Sequence, residues 1–450
     1  MMSSWSVIAI ILLQCYASHS ISVCDDICTC GYRNNNEDYL GKEIDCSFKN
    51  QDLLINNYTL PNVVCSLDLS SNNLISIQKS NLLRSDTLLE LYLNRNNITD
   101  IAVTAFALPE LKILDLSFNN LEYIDPEVFR GLNKLEYLNL ANNKFTAISS
   151  LRFHHLNNLN KIVLDFNRLG PSMMEINLFD RNGFGLTNKI KSLSIKGIDL
   201  DRIPDNFFAD LYDIRQLTIS DNTLEDIFEL PTTLEYLDLS NNPIKEISEE
   251  DFVDVPGLRR LKLNNLLIKE VPDYVFAPLP GLLSLDLERN RNLTYFSRLA
   301  FGHEVLEDAD DFLMEKLSLR GSRLSKLDED LLKPFGRLFH LDLQGNPWVC
   351  DCDIVWVKRL QINPKDYDYV RCALPRSLYN SRIFELEDKY FICKSTKRYI
   401  GVAISIITLF VATFTIMMWI LKCIPKRKLA NYNMFNPYIA YTTLSVNMTT

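Results

Sequence analysis

Histidine is scarce in this chain, and positive charge falls short of negative charge. The 450 residues include five histidines, and 47 lysines and arginines stand against 57 aspartates and glutamates, for a formal net charge of −10. A nucleic-acid-binding protein needs a basic stripe, so we expect no nucleic-acid partner. The sequence also contains no P-loop, no G-x-S-x-G and no histidine-based metal motif. We therefore expect no enzyme, no cofactor, no metal site and no small-molecule substrate.

Leucine is abundant, and it recurs at a regular spacing. The pattern LxxLxLxxNxL occurs twelve times between Val64 and Trp348, mostly at intervals of 24 residues. A repeat of this length predicts a solenoid, in which each unit buries its apolar side only against its neighbours. The first positions of the twelve repeats are Val64, Leu88, Leu111, Leu135, Leu159, Ile190, Ile214, Leu234, Leu258, Leu282, Met314 and Leu338. Such a body offers a long surface, which predicts the binding of another macromolecule.

The alternation of leucine with polar residues inside each repeat predicts one short β-strand per repeat. We expect the strands to stack as a parallel sheet on the concave face, with position-nine asparagines turned inward to satisfy backbone groups. Phenylalanines recur near the same position of the repeat, in the segment that returns along the convex side. We expect them to be buried rather than to bind a ligand. They are Phe106, Phe129, Phe153, Phe208, Phe252, Phe276 and Phe301.

Two apolar segments indicate the cellular compartment. Residues 1–20 are typical of a cleaved secretory signal, although a basic amino-terminal region is missing. Residues 400–421 hold 22 uncharged residues, enough for a helix to cross a bilayer core of about 30 Å. The expected topology is a type I single-pass plasma-membrane protein with an extracellular ectodomain. Residues 394–399 would be juxtamembrane and residues 422–450 a short cytoplasmic tail.

Four cysteines precede the repeats and four follow them. Solenoid ends need caps, and small caps in an oxidising compartment need disulfides, which we favour over zinc binding. The sequence predicts an amino-terminal cap at residues 21–63, the repeats at 64–348 and a carboxy-terminal cap at 349–393. Four cysteines allow three pairings in each cap, and spacing alone does not choose among them. The cysteines concerned are Cys24, Cys28, Cys30, Cys46, Cys350, Cys352, Cys372 and Cys393.

Two segments of the caps carry a family resemblance. IDCS from Ile44 and NPWVCDCDIVWVKRL from Asn346 resemble the caps of extracellular leucine-rich-repeat proteins of the Toll-ectodomain, Slit and chaoptin/connectin kind. The resemblance implies an α/β leucine-rich-repeat solenoid, shaped as a horseshoe, with an irregular or 3₁₀ convex side and one carboxy-terminal transmembrane helix. It also implies the pairs Cys24–Cys30, Cys28–Cys46, Cys350–Cys372 and Cys352–Cys393. A Toll-type signalling domain is not expected in a 29-residue tail.

Two further cysteines have open interpretations. Cys65 occupies the second position of the first repeat, where it could be a buried thiol or an interchain disulfide. Cys423 follows the apolar segment and is a candidate for palmitoylation, with an unmodified thiol as the alternative.

Apolar and aromatic residues occupy strand positions that normally face water, and they form the candidate ligand-binding set. In repeats two to five they are expected to make one contiguous patch, because adjacent strands lie about 4.8 Å apart. A second candidate cluster lies in repeats eight and nine. As alternatives, the first group could be shielded by glycans or exposed incidentally, and the second could be a solvated charge cluster. The candidates are Tyr92, Ile113, Phe118, Tyr137, Val163 and Phe166, followed by Tyr236, Arg260 and Lys262.

Short motifs suggest modification and trafficking. Asn57, Asn97 and Asn292 each begin an N-x-T sequon and are candidate glycosylation sites. Tyr432 and Tyr441 begin Y-x-x-Φ patterns in the tail, where phosphorylation could create a docking site. Patterns this short also arise by chance.

These observations favour a cell-surface receptor or adhesion protein that binds an extracellular protein through the concave face. The partner could be a second copy of the chain or a co-receptor, and any signal would pass through a co-receptor or tail adaptors. Two alternatives stay open at this stage. One is an innate-immune recognition receptor or co-receptor, and the other is a structural anchor between cell and matrix.

Overall fold

The computed structural model shows a leucine-rich-repeat solenoid followed by an apolar helix. The chain divides into two units, one up to Ile392 and one from Cys393 onward. The signal segment 1–20, Asn57, Tyr432 and Tyr441 lie outside the described residues. These are residues 21–35, 38–49, 54, 58–174, 179, 186, 189–205, 207–208, 211–310, 312–360, 364–393 and 397–423.

One long sheet runs through the repeats. Within the described residues it has fourteen strands, all parallel except for an antiparallel hairpin at the amino-terminal end. The expected series of twelve repeat strands is therefore confirmed. In order, the strands are Thr29–Asn35, Asp38–Asp45, Val64–Asp68, Glu90–Tyr92, Ile113–Asp115, Tyr137–Asn139, Lys161–Val163, Ser192–Ser194, Gln216–Thr218, Tyr236–Asp238, Arg260–Lys262, Ser284–Asp286, Lys316–Ser318 and His340–Asp342.

Most repeat strands bury the central residue and turn the two flanking residues outward; the exceptions are Ser66, Ser318 and Asp342, which are buried. In Tyr137–Asn139, for example, Leu138 is fully buried while Tyr137 and Asn139 are half-buried. Side chains in a strand alternate between the two faces, so positions three and five share the outer face. We call this outer face, together with the adjoining position-eight residues, the sheet face.

Every repeat leaves its strand through the same sharp turn. The position-eight residue has a positive φ, between +52° and +69°, in all twelve repeats. A left-handed residue reverses the chain direction and turns the following side chain, at position nine, into the interior. The residues concerned are Ser71, Arg95, Phe118, Asn142, Phe166, Gly197, Asp221, Asn241, Asn265, Arg289, Gly321 and Gly345.

The inward-turned asparagines join each repeat to the one before it. The Nδ2 group of Asn119 donates to the carbonyl oxygens of Leu116 and Leu93, at 3.0 Å each, and its Oδ1 accepts from the Ile98 backbone N–H at 3.0 Å. Asn143, Asn167, Asn222, Asn242 and Asn346 repeat this arrangement. We call this series of side chains the asparagine ladder. It provides hydrogen-bond partners for backbone N–H and C=O groups that do not take part in strand pairing.

The side opposite the sheet consists of arcs with short helices and a spine of phenylalanines. Phe129, Phe153 and Phe252 are at most 1% exposed, and the rings of Phe276 and Phe301 lie 5.6 Å apart. The predicted burial of these phenylalanines is therefore confirmed. The 3₁₀ helices of the arcs are Asn81–Leu83, Pro126–Phe129, Ile148–Ser150, Glu249–Phe252 and Glu329–Leu331.

Smaller elements complete the solenoid and its caps. Two-residue strands pair as Ile21–Ser22 with Tyr58–Thr59, Ser76–Ile77 with Asp100–Ile101, and Glu270–Val271 with Tyr295–Phe296. Trp348–Val349 pairs with Cys372–Leu374. Short α-helices are Val23–Asp26, Gly170–Met173, Glu304–Glu307 and Leu332–Phe335. The 3₁₀ helices of the carboxy-terminal cap are Val355–Arg359, Pro364–Tyr369, Arg376–Leu378, Ile383–Glu385 and Asp388–Tyr390.

Disulfides close both caps over the ends of the core. Cys24 pairs with Cys30, Cys28 with Cys46, and Cys350 with Cys372, which are pairs that the family resemblance implies. Cys352 and Cys393 are also disulfide-bonded. Disulfides at all eight cysteines exclude the zinc alternative. Trp348 and Trp356, each 1% exposed, seal the carboxy-terminal end of the apolar core.

Cys65 is buried within the first repeat. Its side chain is 1% exposed, and its thiol donates a hydrogen bond to the Lys42 carbonyl oxygen at 3.4 Å. A side chain this deeply buried cannot reach another molecule without local unfolding. The structure therefore favours the buried thiol over the interchain disulfide.

The apolar helix spans Lys397–Cys423. Its residues Ala403–Lys422 are long and apolar enough to cross a membrane, and none of that window is buried by other parts of the chain. An unburied apolar helix of this length is a candidate transmembrane span.

We expect Asn143→Ala to lower the free energy of unfolding by about 2–4 kcal/mol. The substitution leaves the buried N–H of Leu121 without its acceptor, which costs about 1–3 kcal/mol, and it removes one of the two amide donors from the carbonyls of Leu116 and Leu140, which keep Asn119 and Asn167. Urea denaturation of the ectodomain, residues 21–398, measures the change. Asn133→Ala is the matched control, because the Asn133 side chain is exposed. Equal losses in both variants would contradict the ladder's role.

The fourth disulfide can be mapped directly. We expect digestion without reduction, followed by mass spectrometry, to yield a peptide that links Cys352 to Cys393. Every other described cysteine of the two caps already has a partner. A peptide that joins either residue to a different cysteine would contradict the pairing.

Candidate ligand-binding face

The strand register decides which candidate side chains are neighbours. Ile113 lies directly opposite Tyr137, so these two position-three residues are neighbours on adjacent strands. Tyr92 lies opposite Asp115, and Val163 lies opposite Asn139, in the parallel row at position five. Two polar residues therefore separate Tyr92 from Val163. The expected single apolar patch is instead divided, which corrects the sequence interpretation.

The polar pair between them belongs to the scaffold. Asn139 donates from Nδ2 to Asp115 Oδ2 at 3.0 Å, while Asp115 Oδ1 accepts from the backbone and hydroxyl of Ser117 at 2.8 and 2.6 Å. Tyr92 is also engaged, because its hydroxyl donates to Glu90 at 3.3 Å. These bonds hold the row in place, and Asp115 has little capacity left for a ligand.

Phe118 and Phe166 project from the edge of the sheet face. Both occupy position eight in left-handed backbone, with φ of 55° and 54°, and their side chains are 44% and 46% exposed. Left-handed backbone costs an L-residue about 1–2 kcal/mol. Bulky residues in that conformation are outliers, and such strain clusters at functional sites. The two phenylalanines are therefore the strongest candidates for contact with a ligand.

Cations lie over the exposed rings. The Arg95 guanidinium is 4.7 Å from the Phe118 ring centroid, Lys161 Nζ is 5.0 Å from that of Tyr137, and Lys196 Nζ is 5.4 Å from that of Phe166. Such contacts orient both the ring and the cation. Sequence reasoning missed all three cations, although their repeat positions place them beside the candidates. We call Ile113, Phe118, Tyr137 and Phe166 with these cations the aromatic cluster.

A glycine sets the position of the second phenylalanine. Gly197 follows Phe166 in the position-eight column, and a Cβ on Gly197 would lie 2.6 Å from the Phe166 ring. Only a residue without a side chain lets the ring lie against the next repeat. Sequence analysis missed this residue, although a glycine at position eight was visible in the pattern.

A second group lies further along the sheet face. Arg260 and Lys262 stand over the Tyr236 ring at 5.6 and 6.0 Å from its centroid. Burial, together with the nearby Asp238 carboxylate, raises the pKa of Tyr236 to about 12, so its hydroxyl stays protonated at neutral pH. The small polar residues Ser192, Ser194, Gln216 and Thr218 occupy the intervening strands. The Tyr236 group is thus separated from the aromatic cluster by two strands.

Asp165 is a half-buried carboxylate beside the aromatic cluster. Burial raises its pKa, opposed by hydrogen bonds from the Ser194 hydroxyl at 2.6 Å and the Lys196 backbone N–H at 2.9 Å. The net shift is upward, so ionising this carboxyl costs more in the folded chain than in the unfolded chain. That cost is present at neutral pH and disappears in acid.

We expect Asp165→Asn to unfold at a higher temperature than the wild type at pH 7.5. The amide keeps an oxygen that can accept both hydrogen bonds, and it removes the cost of a buried charge. The advantage should shrink as the pH falls through the pKa of Asp165, because the wild-type carboxyl is then protonated as well. Thermal melts between pH 4 and 7.5 measure the difference. An advantage that grows in acid would contradict the assignment.

Two of the three sequons lie within the described residues. Asn97 and Asn292 are exposed, and they follow the strands of repeats two and ten at positions ten and eleven. Neither belongs to positions three, five or eight, so neither attachment point lies on the sheet face. Across the described ranges, no group of three or more histidine, cysteine, aspartate or glutamate side chains is arranged to hold a metal ion.

Comparison with known proteins identifies the repeats. The leucine rich repeat model matches residues 64–121 and 109–169, and a BspA type leucine rich repeat region matches residues 201–310. The chain is 26% identical to chaoptin of Tribolium castaneum over 292 residues, which is 62% of this chain and 36% of chaoptin. It is 28% identical to Tsukushi of Gallus gallus, over 62% of this chain and 67% of Tsukushi.

A solved structure also aligns with this chain. The Drosophila Toll–Spatzle complex aligns over 73% of this chain and 52% of that chain, with 22% identity and a TM-score of 0.49. The match to chaoptin likewise spans about a third of that protein's length. The matched repeats and the disulfide-closed caps identify this chain as a leucine-rich-repeat protein with cysteine caps.

Proposed function

We propose that this chain is a single-pass cell-surface receptor or adhesion protein that binds an extracellular protein through its sheet face. The ectodomain, residues 21–398, lies outside the cell, and any signal passes through a co-receptor or through adaptors bound to the tail. The observation that carries the proposal is the pair of exposed phenylalanines in left-handed backbone, Phe118 and Phe166.

Neither phenylalanine is explained by the stability of the solenoid. Each ring is nearly half exposed, so its burial in the fold offsets little of the backbone strain. A partner that covers the rings would gain about 25 cal/mol for each Å² of apolar surface removed from water. Tyr137 and Ile113, on the strands beside them, add apolar surface to the same contact.

The aromatic cluster is also pre-organised. Its side chains stand on strands and turns joined by the asparagine ladder, and a cation from a neighbouring strand or turn lies over each of its three rings. Fixed side chains lose less entropy on binding, and aromatic residues and arginine dominate binding energy at protein interfaces. We expect the partner to present an apolar centre flanked by carboxylates that meet Arg95 and Lys161.

Membrane anchoring fits an adhesion or receptor role. The helix Lys397–Cys423 is a candidate span, and Lys422 lies in its last turn. Tethering confines the sheet face near the cell surface, where several weak contacts act together. Glycans at Asn97 and Asn292, and at Asn57, would keep the remaining surface soluble. Palmitoylated Cys423 and the tail residues Tyr432 and Tyr441 are our candidates for coupling inside the cell.

We expect Phe118→Asn and Phe166→Asn to fold at least as well as the wild type and to lose ligand capture. Asparagine tolerates left-handed backbone and already occupies the same position as Asn142 in repeat four. Loss of the rings should weaken binding at least tenfold. Probing the ectodomain, residues 21–398, against an extracellular protein array identifies the ligand, and a titration with that ligand measures the change.

Tyr123→Asn is the matched control, because Tyr123 is 56% exposed but lies beyond the turn, away from the sheet face. It should leave capture unchanged, whereas Tyr137→Ala should reduce it. Full capture by both phenylalanine variants would remove the aromatic cluster from consideration. Capture of the chain itself on the array would favour adhesion, a microbial molecule would favour immune recognition, and a matrix protein would favour anchoring.

A further inference from the structure

One repeat of the solenoid is four residues short. The unit that begins at Ile214 has 20 residues, whereas its two neighbours on the sheet continue in unbroken register, from Ser192 through Gln216 to Tyr236. The deficit therefore falls on the arc opposite the sheet. Residues 226–233, all of which the structure describes, make only a bend and a turn, while the next arc forms the helix Glu249–Phe252.

The shortened arc leaves a cleft between repeats six and seven. Its volume is about 580 Å³, within the range of about 300–1,000 Å³ in which proteins hold ligands. Pro204 and Pro231 lie at its edges, and their rings restrict the backbone there. The cleft thus has a restrained frame, and it lies on the arc side, apart from the sheet face.

The floor of the cleft is aromatic. Phe207 and Phe208 are buried, with ring centroids 5.0 Å apart, and Phe228 packs on Phe208 at 5.6 Å. Leu224 and Leu230 complete the buried part of the floor. Phe228 is only partly buried, so its ring reaches the cleft while still resting on the core. An aliphatic chain laid on this floor would remove apolar surface from water.

The rim of the cleft is acidic. Five carboxylates line it, from Asp201, Asp205, Glu225, Asp226 and Glu229, against the single cation Arg202. Among the described residues, Glu225 pairs with Lys245, and the other four carboxylates form no ion pair. An apolar floor below a negative rim favours a ligand that is both aliphatic and cationic.

We propose that this cleft binds an arginine-bearing, partly apolar segment of a partner protein. The aliphatic stem of the arginine lies on the phenylalanine floor, and its guanidinium reaches the rim carboxylates of Asp226 and Glu229. Guanidinium matches a carboxylate with two parallel hydrogen bonds and stacks on aromatic rings, as the Phe228 ring permits. An apolar residue next to the arginine fills the remaining volume.

Other ligand classes fit the cleft less well. An acidic segment would meet four carboxylates that have no ion pair. An uncharged apolar ligand would cover those carboxylates without supplying a counter-charge, which costs free energy. Lysine supplies the charge but neither the planar fork nor the stacking surface. Arginine beside an apolar residue satisfies both the floor and the rim.

The test is a peptide selection against the full-length chain held in lipid nanodiscs. A random heptapeptide library displayed on phage serves as the probe, and bound peptides are then synthesised and titrated. We expect selected peptides to carry arginine next to a large apolar residue. Their affinity should fall at least tenfold on Asp226→Lys/Glu229→Lys, which reverses the rim charge, and on Thr232→Trp, which fills the mouth of the cleft from an exposed position.

Glu249→Lys/Glu250→Lys is the matched control, because these exposed carboxylates lie on the next arc, outside the cleft. It should leave the affinity unchanged, so a general loss of negative charge is separated from a loss of the site. Cell-surface expression of each variant checks folding. The proposal is overturned if no peptide is enriched, if the peptides lack a cation, or if the rim and mouth variants bind them normally. Phe118→Asn should have no effect on these peptides, so this outcome is independent of the proposed sheet-face function.

Discussion

The inward asparagine at position nine is the constraint on which the rest of the structure depends. One amide bonds two carbonyls from adjacent repeats and one N–H of the preceding repeat, as Asn119 does with Leu93, Leu116 and Ile98. In every repeat the residue that precedes position nine has left-handed backbone, and the following side chain is turned inward from it. The same geometry in every repeat keeps the strands in register and the outward residues in straight rows.

The series tolerates the loss of a single asparagine, because the backbone N–H groups of each repeat donate to the asparagine of the following repeat. Position nine is Ile198 in repeat six and Leu266 in repeat nine, and both are buried. Their backbone N–H groups donate to Asn222 and Asn290 of the next repeats, at 2.9 and 2.7 Å. A hydrophobic residue therefore replaces one amide without leaving its own N–H unsatisfied. Two consecutive replacements would remove this compensation, and in this chain no two adjacent repeats lack the asparagine.

The repeat spacing predicts most of the fold, because a 24-residue period and alternating leucines allow few other structures. Side-chain neighbours were harder to predict. Ile113 and Tyr137 lie in the position-three row, whereas Tyr92 and Val163 lie in the position-five row. In the position-five row, Asp115 and Asn139 stand between Tyr92 and Val163. The cations over the rings depend on side-chain rotamers, which a repeat pattern does not contain. The cleft depends on how a short arc relaxes, since a loss of four residues could equally have tightened the turn.

The solenoid separates the residues that stabilise it from the residues available to a partner. The apolar residues at positions one, four and six are buried, as are most of the asparagines, whereas positions three, five and eight mostly face outward. Position eight demands only a left-handed backbone, which glycine meets without strain at Gly321 and Gly345. Phe118 and Phe166 meet it at a cost of about 1–2 kcal/mol each. The asparagine ladder bonds the backbone of both neighbouring repeats, and these bonds offset the strain at position eight. The rings therefore stay exposed in fixed positions. A surface can therefore be specialised at these positions without weakening the stack beneath it.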